Sequence, residues 1–166
     1  MDYGMIGKIE KAKRYAEERD RITFNEFLIK FSGDNNSYNL SLNEDGWHCT
    51  CPGFQTHRIC PHIMCAERVF APMIKRDKQP YAPGQNVVSD VEKAKRYSEE
   101  TDRMKFESFR VTFTGNNNDH HAGYADHTLT CDCDFFATRN VCSHTMAMER
   151  ILNGMLNGTT DDVGDA

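Results

Sequence analysis

Two short stretches concentrate the residues able to do chemistry: CTCPGFQTHRICPH from Cys49 to His62, and CDCDFFATRNVCSH from Cys131 to His144. Each holds three cysteines and a histidine in the pattern C-x-C-x8-C-x-H. Three sulfurs and one imidazole form a soft, four-coordinate donor set, and tetrahedral Cys3His sites are typically zinc. In an extended segment residues i and i+2 share a face, so Cys49 and Cys51 aim their sulfurs at one point, as do Cys131 and Cys133. The eight-residue spacer lets the chain turn back with Cys60 and His62, or Cys142 and His144, at a helix start where the dipole favours thiolates. All four positions come from protein, which leaves none for water or substrate and makes each site structural.

Competing chemistries fare worse. Seven cysteines cannot close into a disulfide framework, and neighbours as close as C-x-C are poorly placed to bridge each other. A thioredoxin-like redox pair needs C-x-x-C, which does not occur. An iron–sulfur cluster on Cys3His is the remaining alternative to zinc. Cys65 stands outside both patterns and reads as a small buried thiol on a helix.

The two stretches belong to a duplication. EKAKRYAEERDRITF from Glu10 returns as EKAKRYSEETDRMKF from Glu92, an offset of 82 residues that also carries Cys49 to Cys131 and His62 to His144 without a gap. The same offset takes Cys65 to Ala147, so the shared chemistry does not need that thiol. The expected organisation is a first unit over 1–72, a Pro-rich linker over 73–87, a second unit over 88–157 and an acidic tail over 158–166.

Positioning the ligands falls to a few elements. Ile9, Ala12 and Ala16 recur at helical spacing, predicting a helix over IGKIEKAKRYAEER. Phe27, Ile29 and Phe31 alternate in FLIKFSG, and Tyr38, Leu40 and Leu42 alternate back in YNLSLN across the turn GDNN. The short strand GWHCTC delivers the first two ligands, and PHIMCAERVF or SHTMAMERILNGML follows as an amphipathic helix. The fold class is therefore α+β: two tandem pseudo-symmetric units, each helix, antiparallel β-meander, zinc-binding loop, helix. In the second unit the middle strand reads as weaker, with His120, His121 and His127 on a solvated loop. Units of about 70 residues bury little, and a metal can add ~10 kcal/mol or more of folding energy.

The pattern followed by a helix resembles the SWIM zinc finger, C-x-C-x(n)-C-x-H, over residues 38–70 and 120–152. The flanks GWHCTCPGFQ and CPHIMCAERVF also look like those of the family, and the second copy is similar to short bacterial stand-alone SWIM proteins. The resemblance implies Zn2+, two per chain, and a role in binding DNA or protein. Relatives of this kind accompany helicase-like ATPases, transposases and recombination factors, but no G-x-x-x-x-G-K-[ST] loop is present here.

Charge weighs against a general grip on nucleic acid, which needs a basic footprint. The formal net charge is −5, with 12 basic and 11 acidic side chains in residues 1–82 but 8 and 14 in residues 83–166. Local basic clusters remain: Lys11 and Arg14 on the first helix, Lys93 and Arg96 on its repeat, Arg58 and Arg139 in the metal loops, and Lys75 and Arg76 in the linker. Each helix cluster is followed by acidic residues, which suits a solvated face or a partner-docking surface. Phe54 and Phe135, with Phe136, are candidate exposed anchors for a partner, while the repeated strand phenylalanines are core.

The expected function is a non-catalytic zinc-binding adaptor acting through a protein partner or self-association. The alternative is a nucleic-acid-binding factor in transcription, recombination or transposition. No histidine–carboxylate or nucleophile constellation supports an enzyme with a small-molecule substrate. No window approaches the ~18 apolar residues of a membrane span, and the N-terminal stretch has no apolar signal region, so the expected compartment is a reducing cytoplasm.

Overall fold

The computed structural model describes residues 3–75, 87–115 and 118–156. The first repeat forms α1 (Tyr3–Glu17), a 3-10 turn (Arg19–Arg21), β1 (Ile22–Ser32), β2 (Ser37–Asn43), β3 (Gly46–Cys49), α2 (Pro52–His57) and α3 (Pro61–Phe70). The second forms α4 (Val87–Glu99), a 3-10 turn (Thr101–Arg103), β4 (Met104–Thr114), β5 (Asp119–Ala125), β6 (Thr128–Cys131), α5 (Asp134–Arg139) and α6 (Ser143–Ile151). The α+β class and the repeated element order are as the residue patterns imply. Arg76, most of the linker and the acidic tail lie outside the described residues.

The six strands make one antiparallel sheet in the order β3-β2-β1-β4-β5-β6. Its centre is self-complementary: β1 pairs with β4 so that Phe27 faces Phe109, the residue 82 positions later. Ile22 faces Phe113 and Phe31 faces Met104 on either side, so a pseudo-twofold axis passes through the Phe27–Phe109 pair, as in an isologous interface. One face is apolar. Ile22, Phe24, Phe27, Ile29 and Phe31 are buried there beside Met104, Phe106, Phe109, Val111 and Phe113. A register shift between Phe24 and Glu26 lets both Asn25 and Glu26 point outward without losing the apolar set.

Helices cover that face by exchange between the repeats. α1 packs on α6 and α4 packs on α3. The basic first helix is thereby placed over the acidic second half. Beyond α3 and α6 the chain returns to the sheet: Phe24 N–H donates to Met73 O at 2.9 Å and Phe106 N–H to Met155 O at 2.8 Å. The β1–β2 turn is tight at Gly33, where a Cβ would stand 3.0 Å from Asn36 O.

Three expectations need correction. The metal loops are not plain loops: each contains a one-and-a-half-turn helix, α2 or α5, closed by a left-handed residue, Arg58 (φ 65°) or Asn140 (φ 59°). His120 and His121 lie on β5, which is as long as β2, because backbone pairing with β4 overrides a sequence poor in strand formers. The last helix stops at Ile151 rather than running on to Leu156, and Leu156 instead bridges to Phe106.

Candidate metal centres

Each centre is assembled from three local devices. β3 ends at Cys49, and the chain stays extended through Cys51 (φ −71°, ψ 155°), so the two sulfurs share a face as an i, i+2 pair should. Cys51 is also the N-cap of α2, where Phe54 N–H donates to its Sγ at 3.4 Å. Cys60 and His62 sit at the start of α3, with Pro61 at its first position. The second centre repeats this with Cys131 closing β6, Cys133 capping α5, and Cys142 capping α6 in a box with Thr145.

In each centre the four donor atoms lie within 4.8 Å of one another: Cys49, Cys51, Cys60 and His62, and Cys131, Cys133, Cys142 and His144. The imidazoles present Nδ1, which stands 3.6 Å from Cys49 Sγ in the first, and 3.5 and 3.7 Å from Cys131 and Cys142 Sγ in the second. A tetrahedral zinc with Zn–S ~2.3 Å and Zn–N ~2.0 Å has an S···N edge of about 3.5 Å. The donor sets therefore fit the ion, and the chain carries sites for two Zn2+.

The electrostatics agree. Three thiols this close cannot all ionise without a cation. Hydrogen bonding from Cys49 holds the Cys51 thiol far below its usual range, while Cys49 itself is pushed up to about 11 and Cys60 higher still by their sulfur neighbours. Hydrogen bonding from Cys131 lowers Cys142 to about 3, Cys142 in turn raises Cys131, and burial raises Cys133. A bound dication is what would stabilise three thiolates together. Cys65, which belongs to neither centre, is fully buried and pushed up to about 12 by that burial.

What residue spacing did not reveal is the wall behind each imidazole. Tyr97 from α4 lies flat on His62, ring centroids 5.8 Å apart at 15°, and Tyr15 from α1 lies flat on His144 at 5.6 Å and 16°. Each metal site of one repeat is thus closed by a tyrosine of the other. Repetition of KRY in both helices was the visible signal; only the exchange gives it a role. Phe31 and Phe113 close the other side at 4.7 and 4.9 Å.

The candidate contact residues are not alike. Phe54 is buried, so it is core and no exposed anchor. Phe135 is partly exposed and carries Lys8 Nζ at 5.1 Å and the Arg139 guanidinium at 5.2 Å over its ring, both within cation–π range. Arg58 lies over Phe54 at 6.0 Å. Lys75 Nζ donates to Asp20 O at 2.8 Å. Lys11, Arg14 and Arg21 line a groove beside His144, Cys142 and Phe135, whereas Arg96 is bound to Asp34 and Lys93 lies over Tyr97. His121, which the sequence leaves without a role, pairs with Asp132 between two ligand cysteines at 2.9 Å.

The SWIM zinc finger family model matches residues 33–68 and 109–153, which contain both donor sets. No curated protein and no solved structure matches the chain. No helix among the described residues is long and apolar enough to cross a membrane.

Proposed function

We propose that the chain is a non-catalytic adaptor built on two SWIM-type zinc-finger modules, whose zinc ions hold a rigid surface for a protein partner or a second copy. The observation that carries this reading is closure. Seven of the eight donors are buried, and protein supplies all four positions of each site, as structural zinc requires. The surface available to partners is then the exposed metal loop α5 with Phe135 and Arg139, and the cationic side of α1 with Lys11 and Arg14. All seven cysteines are free of disulfides, in keeping with a reducing, cytoplasmic setting.

Nucleic-acid binding is the second reading, favoured by the family and by the basic groove beside the second centre. Net charge argues against it, and six thiolates with two Zn2+ lower the formal −5 further. The test is a titration of zinc-loaded protein against single- and double-stranded DNA at two salt concentrations, with light scattering alongside. Self-association, or a zinc-dependent protein complex, without salt-sensitive DNA binding is expected. Salt-sensitive DNA binding lost on chelation would replace the adaptor with the second reading.

A further inference from the structure

The two centres share an arrangement of stacked rings and cations, and one half shows what that arrangement holds. Over Tyr97 the guanidinium groups of Arg96 and Arg103 lie at 4.9 and 4.8 Å. Both converge on Asp34, in the turn after β1. Arg96 takes its carboxylate side-on, Nη2 to Oδ2 at 2.8 Å and Nη1 to Oδ1 at 3.3 Å, and Arg103 Nη2 adds a contact at 3.2 Å. The Arg96 hydrogen bond holds the Asp34 carboxyl below its ordinary range. Arg103 is fixed in turn by Glu100 at 2.6 Å and by Ser32 O at 2.9 Å. Asp34 is the built-in anion of this half.

The repeat places Arg14 where Arg96 stands, Arg21 for Arg103, Lys11 for Lys93, and Lys8 for Asp90. The scaffold is retained: Glu18 holds Arg21 Nε at 2.7 Å, and Arg21 Nη1 donates to Thr114 O at 3.2 Å. Lys11 and Arg21 lie over Tyr15 at 5.5 and 6.0 Å. The aspartate is not retained, since position 116 is asparagine. Lys8, Lys11 and Arg14 form no ion pair among the described residues. The groove they line has a volume of about 510 Å³ and runs along α1 past Phe135 to Ser143. A zinc held by three thiolates is formally −1, which one cation offsets; four cations line this groove, where Asp134 is the acidic lining residue, and one of them, Arg21, is also paired with Glu18.

We propose that the groove between α1 and the second metal loop docks an acidic segment of a protein partner, whose carboxylate takes the place that Asp34 fills in the other half. A carboxylate is favoured over a nucleic-acid phosphate because the repeat holds one in the equivalent position, bidentate to arginine. The negative net charge also opposes a long polyanion more than a short acidic segment. This assignment rests on the protein-interaction reading above and specifies the chemistry of its partner.

The experiment is fluorescence anisotropy of a fluorescein-labelled hexaglutamate peptide with the zinc-loaded full chain, at about 50 and 300 mM salt. One peptide per chain binds, more weakly at the higher salt. Arg14→Ala, and Asn116→Asp, which gives the second repeat the aspartate that the first has at position 34, each weaken it about tenfold or more, the scale of one charge-assisted contact. Arg96→Ala leaves it unchanged. Asp34→Asn opens the twin groove and adds a second, weaker site, because Asp90 stands there in place of Lys8. Zinc content and melting temperature confirm that each variant is folded. Affinity indifferent to both Arg14→Ala and Asn116→Asp overturns the assignment. Self-association in light scattering with no peptide bound sinks the groove alone, whereas a labelled single-stranded oligonucleotide binding through Arg14 while the peptide does not sinks both it and the adaptor reading.

Discussion

Tyr97→Ala probes the exchange of helices directly. Tyr97 belongs to the second repeat but is 1 % exposed against the first metal centre, 5.1 Å from Phe31 and flat on His62. Deleting a buried aromatic ring costs about 3–5 kcal/mol, a large part of the ~5–15 kcal/mol that stabilises a domain. The wall behind a ligand imidazole also orients it, and loss of such support typically weakens metal binding ~10–100-fold. Zinc release to a chromophoric chelator should therefore become biphasic, with a fast phase amounting to one ion. Pairing Tyr97→Ala with Cys49→Ser should abolish that fast phase, because the affected ion is bound by Cys49, Cys51, Cys60 and His62. The matching change Tyr15→Ala should speed release at the Cys131 centre instead. If Tyr97→Ala loosens the ion at Cys131, each helix covers its own repeat and the exchange is refuted. Tyr97→Phe supplies the control: its hydroxyl is buried without a partner among the described residues, so its removal should leave stability equal or slightly higher.

Cys131→Ser should leave one zinc per chain in native mass spectrometry. Because β1 pairs with β4 and α1 packs on α6, the variant should still melt in one transition at lower temperature; two steps with the first centre intact would contradict a shared core. Cys65→Ala should keep both ions and lose less than about 1.5 kcal/mol in chemical denaturation, since Ala147 already fills the equivalent position. In the intact protein Cys65, buried and shifted up to about 12, should resist iodoacetamide at pH 8. Burial raises the Glu149 carboxyl, so its protonated form is the better accommodated one and stability falls as pH rises through the folded-state value. Glu149→Gln should then raise the melting temperature at pH 7, with the gain vanishing below the ordinary value of 4.5.

The metal centres were legible in the residues because coordination is a matter of donor type and local spacing. C-x-C at a strand end and C-x-H at a helix start bring four atoms within bonding range through backbone geometry alone, and the repeat at 82 doubles the signal. The strand phenylalanines were legible for a similar reason, as alternation over a few residues reports a buried face. α2 and α5 were missed because six residues carry too little periodicity to register, although Pro52 after a capping cysteine marks the start. Phe54 and Phe135 looked equivalent as loop aromatics, yet the repeat pairs Phe54 with Phe136, and packing buries only Phe54.

Residue order thus determined the donor sets, the zinc stoichiometry, the duplication and most of the elements, all properties of short-range spacing. Tertiary structure alone decided that the repeats share one sheet about the Phe27–Phe109 pair, that α1 covers the second half and α4 the first, and that each imidazole is backed by the other repeat's tyrosine. The physical reason is degeneracy. Two near-identical helices present the same apolar stripe, so either could cover either half by local pattern, and only long-range strand pairing and close packing distinguish the arrangements. The same decision set a basic helix beside the second metal centre, where the repeat omits the aspartate that occupies its twin.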